Sequence, residues 1–419
     1  MDAKRDGNSK RPDLLEKIRV IDISSYVAGP SAAAILADLG ADVIHVEPLG
    51  GDPMRSVQVL HGLQPVAGKA TPEQINSGFE LVNRNKRGIA LNITCPAGLE
   101  VLRDLVREAD VFITNLLPER LASLQLEYAQ LRKINPRLIY AGVTGYGTNN
   151  PERNRRAFDV AGFWARAGLM ESISEGNSEK PYMRGGMGDQ AAGMGLAGAI
   201  GFALFQRERT GEGQQVDVSL FRTGVWILGS EIQRQFTYGA AILHGSRVKP
   251  NNPMTNYYQD IDGKWFVIHM SFTDRFWPRL CETLGRPELS VDPRFSTHAA
   301  RERNSAELVA EFDRAFAAQS REEWGRRLDA FKVVWSPIQT LAEVEQDPLL
   351  EQEDMVYERV HPATGKPYKI LGLPFTLSNH TPKLHLLAPR PGEHTDAVLS
   401  ELGYDAGKIS ALRSEGVLK

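Results

Sequence analysis

The chain contains few cysteines, and their spacing fits neither a disulfide framework nor a metal centre. Only Cys95 and Cys281 occur in its 419 residues, and they form no CxxC pair. This usage is typical of a reducing compartment, so we expect a cytoplasmic protein. We expect no metal site.

Excess charge and long apolar runs are also absent. Lys and Arg number 49 and Asp and Glu 52, so the formal net charge is -3. No overall basic field would attract nucleic acid or an anionic membrane surface, and we expect neither as a partner. The most apolar stretch, Met194–Phe205, is too short to span a bilayer, which takes about 20 residues. It is typical of a buried core helix.

The order of apolar segments indicates a parallel sheet. A β-branched run at Ile18–Ser24 is followed by the Ala-rich segment Ser31–Leu39 and by a second run at Asp42–Val46. This pattern predicts a βαβ unit with a right-handed crossover. Further strands are predicted at Gly88–Asn92, Asp110–Thr114 and Leu138–Val143. We therefore predict an α/β fold with a Rossmann-like large domain.

The first turn of this domain lacks the dinucleotide fingerprint. Tyr26–Pro30 contains no GxGxxG, so the layout does not by itself imply a nicotinamide cofactor. The length of the chain predicts more than one unit. We expect a disordered tail at 1–13, the large domain at 14–235, a linker at 236–256, a smaller α+β domain at 257–345, and a C-terminal segment at 346–419 that returns to the large domain.

One carboxylate follows a glycine-rich segment. Asp189 comes after Gly185, Gly186 and Gly188, and it opens a helix of small residues, Gln190–Gly201. The free N–H groups and positive dipole at a helix start are expected to keep Asp189 ionised. An accessible ionised carboxylate suits covalent catalysis through an acyl-aspartate. The alternative is that Asp189 only caps the helix.

Several short segments occur in an order that a known family shares. They are Val27–Pro30, Leu39–Glu47, Asn85–Asn92, Asn135–Tyr140, Gly145–Gly147, Gly188–Asp189, Thr210–Gln214 and Gly392–Thr395. In this order the chain resembles the class III CoA-transferase family, the formyl-CoA transferase and α-methylacyl-CoA racemase type. The resemblance runs from about Ile18 to Tyr404.

The resemblance implies that Asp189 is the catalytic aspartate. In the transferases this residue attacks an acyl-CoA thioester, and CoA then passes through an aspartyl-CoA thioester to an acceptor carboxylate. CoA and acyl-CoA would be substrates, with no tightly bound cofactor. Main-chain N–H groups of the nearby glycines are candidates for stabilising the oxyanions. The family also implies an interlocked homodimer.

A CoA site on the large domain is implied as well. Its residues would be Val27, Ala28, Pro48, Leu91, Asn92, Ile93, Thr94, Asn115, Leu116, Leu117 and Tyr146. Val27 stands where formyl-CoA transferase has a glutamine and Pro48 where it has an arginine, so we do not expect formate and oxalate to be the substrates. Lys86 and Arg87 could bind the nucleotide phosphates, or could form a solvated basic turn. Gly188, Arg184 and Arg247 are the candidate substrate contacts.

Two alternatives to a transferase remain open. The first is an acyl-CoA racemase or isomerase, but Phe158 falls where the racemase branch has a histidine and cannot move a proton. Asp159 next to it either caps the helix through Phe163 and Trp164, which we favour, or orients the acyl group. The second is a partner-dependent, non-catalytic subunit, which would not need Asp189 behind its glycines.

Overall fold

Six parallel strands form the central sheet of the larger unit. The computed structural model describes residues 13–57, 71, 74–174, 179–240, 246–271 and 273–419. Residues 1–12 of the predicted tail at 1–13 and residues 241–245 of the predicted linker therefore lie outside the described residues. The strands are β1 (Arg19–Asp22), β2 (Asp42–Glu47), β3 (Arg87–Ala90), β4 (Val111–Thr114), β5 (Ile139–Thr144) and β6 (Gln215–Ser219).

The strands follow the order β3-β2-β1-β4-β5-β6, with every neighbouring pair parallel. The chain starts at the centre, winds to one edge, and returns to wind to the other. This is the doubly wound arrangement predicted from the sequence, so the fold class is confirmed. In such sheets the direction of winding reverses between two neighbouring strands, here β1 and β4. The loops at their carboxyl ends leave a crevice there.

Helices cover both faces of the sheet. They are α1 (Ala28–Asp38), α2 (Ser77–Asn83), α3 (Pro96–Arg107), α4 (Pro118–Leu124), α5 (Tyr128–Ile134), α6 (Leu169–Ser172), α7 (Met187–Thr210), α8 (Leu220–Ile227) and α9 (Gly229–Tyr238). One face is buried under α1 and α7, whose small residues allow close approach. At Gly193 an added Cβ would lie 2.7 Å from the carbonyl oxygen of Ala28, so only glycine fits.

The smaller unit comprises Ile173–Lys180 and Gln233–Leu350, as far as these are described. A three-stranded antiparallel sheet and an aromatic core, with Trp277, Phe312 and Trp324 fully buried, form its centre. Its elements are β7 (Thr255–Gln259), β8 (Trp265–His269), β9 (Trp335–Pro337), α10 (Thr273–Thr283), α11 (His298–Arg303), α12 (Ser305–Phe316), α13 (Arg321–Ala330) and α14 (Leu341–Glu345).

Residues 351–419 belong again to the larger unit. The end of this segment contacts the residues that follow β3. The N–H of Asn92 donates to the carbonyl of Val417 at 2.9 Å, and Leu91 pairs with Leu418. The elements from here on are α15 (Leu349–Gln352), β10 (Val356–His361), β11 (Lys366–Leu371), α16 (Thr395–Glu401) and α17 (Ala406–Ser414). Within the described ranges, no helix is both long and apolar enough to cross a bilayer.

Local structure departs from the sequence prediction at three places. The strand β7 lies partly in the predicted linker at 236–256. The helix expected at Leu220–Gln235 is divided at Leu228 into α8 and α9. A π-helix at Val160–Ala165 contains Phe163 and Trp164, where an ordinary helix was expected. The smaller unit also includes the described residues 173, 174, 179 and 180, which the predicted boundaries assign to the large domain.

Candidate active site

A cavity of about 650 Å³ opens where the direction of winding of the sheet reverses. It lies within the larger unit and is lined by the loops after β1, β4 and β5. Asn115 joins the first two loops: its amide oxygen accepts the N–H of Ser25 at 3.0 Å and its amide nitrogen donates to the carbonyl of Ser25 at 2.7 Å. The cavity therefore occupies the crevice where ligands of doubly wound sheets bind.

Six of the predicted site residues come together in this cavity. They are Val27, Ala28, Asn115, Leu116, Leu117 and Asp189. They derive from three separate segments of the chain, and the sheet topology brings those segments to one edge. The proposed nucleophile and part of the proposed CoA site thus share one cavity, although the roles of these residues stay predictions.

Asp189 is the third residue of α7 and does not cap it. The helix begins at Met187, and its N-cap is Gly186, with a positive φ of 90°. The Asp189 carboxylate accepts no hydrogen bond from any residue that the structure describes. Burial, followed by the negative charge of Asp159, raises its pKa to about 7. The expectation that the helix start keeps Asp189 fully ionised is therefore wrong at neutral pH, because desolvation outweighs the helix dipole.

Asp159 supplies the missing cap of α7. Its carboxylate is 3% exposed and accepts the N–H of Gly186 at 2.6 Å and the N–H of Gly188 at 3.0 Å. The sequence suggested instead that Asp159 caps its own helix, but no side-chain cap is present at the π-helix. Burial raises the pKa of Asp159, and the bonds from the two N–H groups oppose that rise.

The same contact changes two expectations about the glycines. The N–H groups of Gly186 and Gly188 are bonded to Asp159, so they are not free to stabilise an oxyanion. Gly188 is buried, and an added Cβ would overlap both the ring of Phe163 and the Asp159 carboxylate. This predicted substrate contact is therefore needed for close packing of the first turn of α7.

Three arginines that were not predicted as site residues line the cavity. They are Arg120, Arg155 and Arg156. Arg155 pairs with Glu152 at 3.3 Å and lies 5.3 Å from the ring centre of Tyr146. Arg120 and Arg156 form no ion pair with a described residue. The only sequence signal was the basic run Arg153–Arg156, which is also typical of a solvated loop.

The other predicted CoA contacts do not line this cavity. Pro48 follows β2, and Leu91–Thr94 follow β3, so both lie along the same carboxyl edge of the sheet. Leu91 is buried, and Asn92 accepts the backbone N–H of Thr94 at 3.1 Å. Tyr146 follows β5, beneath the guanidinium groups of Arg155 and Arg166.

The two predicted phosphate ligands are occupied elsewhere. Lys86 is fully buried, and its Nζ donates to Asp22, Asn83 and the carbonyl of Pro30, each at 2.9 Å. It is therefore neither a solvated turn nor available to a ligand. Arg87 opens β3 at the amino edge of the sheet, where it pairs with Asp42 at 2.7 Å and with Glu401 at 2.6 Å.

The two predicted substrate arginines also lie outside the cavity lining. Arg184 is exposed, in the segment before α7. Arg247 belongs to the smaller unit, where its guanidinium makes two hydrogen bonds to the carboxylate of Asp313. That pairing raises the pKa of Arg247 and occupies the fork that a substrate carboxylate would need.

A buried charge network contacts the loop after β1, which lines the cavity. Burial alone would lower the pKa of His45, but its contact with Asp22 at 3.1 Å raises it to about 9, which makes it a cation at neutral pH. His45 Nε2 lies 3.5 Å from Asp52, whose carboxylate accepts the N–H of Tyr26 at 3.3 Å. The network thus holds the loop after β1. Nowhere in the described ranges do three or more His, Cys, Asp or Glu side chains converge as a metal site would require.

Comparison with known proteins agrees with the sequence order and the fold. Residues 15–395 match the model of CoA-transferase family III. The chain is 30% identical to (R)-2-hydroxy-4-methylpentanoate CoA-transferase of Clostridioides difficile, over 97% of this chain and 100% of that protein. It is 28% identical to cinnamoyl-CoA:phenyllactate CoA-transferase of Clostridium sporogenes, over 96% and 97%.

A solved structure gives the same result. A CAIB/BAIF family protein from Brucella suis superposes with a TM-score of 0.80 and 30% identity, covering 94% of this chain and 100% of that one. The family match spans both units and includes Asp189. This chain therefore belongs to CoA-transferase family III and is a CoA-transferase.

Proposed function

We propose that the protein transfers CoA from an acyl-CoA to a carboxylic acid with Asp189 as the covalent nucleophile. The observation that carries the proposal is the Asp189 carboxylate, which lines the cavity and accepts no hydrogen bond from a described residue. A carboxylate used only for structure is normally paired or hydrogen-bonded when it is this deeply placed. Its raised pKa also makes the ionised form a stronger nucleophile.

The exchange takes four displacements. An Asp189 oxygen attacks the thioester carbonyl, which forms a mixed anhydride and releases the CoA thiolate. The thiolate then attacks the aspartyl carbonyl, which gives an aspartyl-CoA thioester and frees the donor carboxylate. The acceptor carboxylate displaces the thiolate from Asp189, and the thiolate finally attacks the acceptor carbonyl, which regenerates Asp189. Each step exchanges one acyl bond for another and needs no oxidant or metal.

The cavity lining supports CoA as the shared substrate. Its inner surface includes Ala28, Leu116 and Leu117, which suit the apolar parts of a pantetheine arm. Arg120 and Arg156, which form no ion pair with a described residue, suit the anionic groups of CoA. These arginines take the role first given to Lys86 and Arg87.

A homodimer is part of this proposal. The side chains of Met194, Phe202, Phe205 and Trp226 on α7 and α8 are 48%, 79%, 64% and 82% exposed. Exposed apolar surface of this kind is typical of an interface. Between the α7 side chains, Gly195 and Gly198 have open space where a Cβ would be, so a second chain could approach the helix closely. Light scattering that gives the mass of a single chain would refute the homodimer.

Trapping the covalent intermediate tests the mechanism. The protein is incubated with a panel of acyl-CoAs, quenched with hydroxylamine, and mapped by peptide mass spectrometry. We expect modification at Asp189 and none in Asp189→Asn. Asp217→Asn is the matched control, because Asp217 is another carboxylate with a raised pKa and does not line this cavity. A folded protein that binds CoA but is never modified at Asp189 would contradict the proposal. The cytoplasmic location and the lack of a tightly bound cofactor stay predictions from the sequence.

A further inference from the structure

Phe158 presents an aromatic ring to the cavity that contains Asp189. Its side chain is 64% exposed, although it precedes the buried Asp159 that caps α7. Apolar side chains in such a cavity are the usual contacts of an apolar ligand group. Because Asp159 is bonded to the first turn of α7, the backbone of Phe158 is fixed close to the turn that carries Asp189.

Tyr26 lies opposite this ring in a rare backbone conformation. Its φ is 67°, in the left-handed region that bulky residues seldom adopt, and such strain is found mainly at functional sites. The Asp52 carboxylate accepts its N–H at 3.3 Å, and the two bonds of Asn115 fix the preceding Ser25. Its ring lies edge-on to Phe158, with 5.3 Å between the ring centres.

Two further apolar side chains continue the surface. Val27 follows Tyr26, and Leu220 packs against Gly162 in the π-helix, where an added Cβ would lie 2.8 Å from the Leu220 Cβ. The ring of Phe163, in the same π-helix, packs against Gly188. We call the four residues Tyr26, Val27, Phe158 and Leu220 the aromatic wall.

We propose that the aromatic wall selects the acyl group, so that the enzyme uses branched aliphatic or aryl acyl-CoAs in preference to short or dicarboxylic ones. This inference rests on the proposed function. Val27, Phe158 and Leu220 offer no side-chain hydrogen bond, and the proposed function assigns Arg120 and Arg156 of this cavity to the anionic groups of CoA. A second carboxylate placed against the wall would therefore lose water without gaining a partner. An aryl or branched group would bury apolar surface there, and two aromatic rings at this separation favour an edge-on third ring.

The test compares four donors: acetyl-CoA, succinyl-CoA, 4-methylpentanoyl-CoA and 3-phenylpropanoyl-CoA. We expect kcat/KM for the last two to exceed that for the first two by at least about tenfold, since a few methylene groups in an apolar site give such ratios. Phe158→Ala should lower kcat/KM about 10- to 100-fold for 3-phenylpropanoyl-CoA and less than about threefold for acetyl-CoA. Phe158→Leu should recover most of the activity with 4-methylpentanoyl-CoA.

The control is Phe375→Ala, which removes a phenylalanine that is 40% exposed and does not line the cavity. It should leave kcat/KM unchanged for all four donors. A preference for succinyl-CoA, or an equal loss with every donor in Phe158→Ala, would overturn the inference.

Hydroxylamine trapping separates this inference from the proposed function. If Asp189 is labelled equally well by all four donors, the wall does not select and only this inference fails. If no donor labels Asp189, the proposed nucleophile fails. Calorimetric binding of the same acyl-CoAs to Asp189→Asn then measures selection without chemistry, where equal affinities would overturn the inference and a tenfold preference would support it.

Discussion

The substitution Asp159→Asn tests whether a neighbouring charge sets the ionisation of Asp189. The pKa of Asp189 is about 7 against an ordinary value of 3.8, so its ionisation is disfavoured by about 4 kcal/mol, at 1.36 kcal/mol per pKa unit. Burial is the larger cause and the charge of Asp159 the smaller one. Asp159 therefore contributes less than about 2 kcal/mol, which is less than about 1.5 pKa units.

We expect the pKa of Asp189 to fall by about one in the variant and to stay well above 3.8, because burial persists. The ionised carboxylate is the attacking species, so the acid limb of the rate profile should move to lower pH. At pH 6 the ionised fraction should rise from about a tenth to about a half. The asparagine keeps the size of the side chain, but its NH₂ group faces one of the two N–H donors, so the rate plateau should also fall.

The assay is the single-turnover rate of Asp189 acylation between pH 5 and 9, measured by rapid quench and mass spectrometry. Asp217→Asn removes a carboxylate outside the cavity lining and should leave the acid limb in place. An acid limb that stays at the wild-type pH, or moves upward, would refute the electrostatic argument. A lower plateau with an unmoved limb would mean that Asp159 acts only as a helix cap.

Three further predictions concern stability. Asp189→Asn should raise the free energy of unfolding at pH 8 by up to about 4 kcal/mol and leave it unchanged below pH 4. The folded protein binds the Asp189 proton more tightly than the unfolded chain does, so the wild type loses stability as the pH rises from about 4 to 7. Melting curves across this pH range check the prediction. Gly188→Ala should cost about 1–3 kcal/mol through overpacking, whereas Gly185→Ala, with open space at its Cβ, should cost less; denaturant titration compares them. Lys86→Met should cost up to about 3–5 kcal/mol by removing one of the two cations that face Asp22, the other being His45, and adding Asp22→Asn should recover part of that loss.

The fold could be predicted because its signals are local. The inner strands of the sheet contain β-branched residues that are buried on both faces, as with Val20 and Ile21 in β1, and helical patterns alternate with these strands along the chain. The glycines before Asp189 mark the first turn of α7, where the side chains of Phe163 and Asp159 pack against Gly188.

The contacts that define the site could not be predicted in this way. Asp159 reaches Gly188 across 29 residues, and Lys86 reaches Asp22 across 64. The residues next to Lys86 in the sequence do not distinguish a buried lysine from a solvated one, because its partner Asp22 comes from a distant part of the chain. The arginines of the cavity were missed for the same reason.

The split of the larger unit has a consequence for synthesis on the ribosome. Residues 351–419 complete this unit, yet the whole segment Gln233–Leu350 is translated before them. At about 5–20 residues per second, that segment occupies the ribosome for on the order of ten seconds. If the sheet forms during this interval, it lacks the contacts that Val417 and Leu418 make beside β3, and its edge is then open to pairing with another chain. This chain order therefore requires either that a chaperone protects the edge or that the sheet folds only after translation is complete.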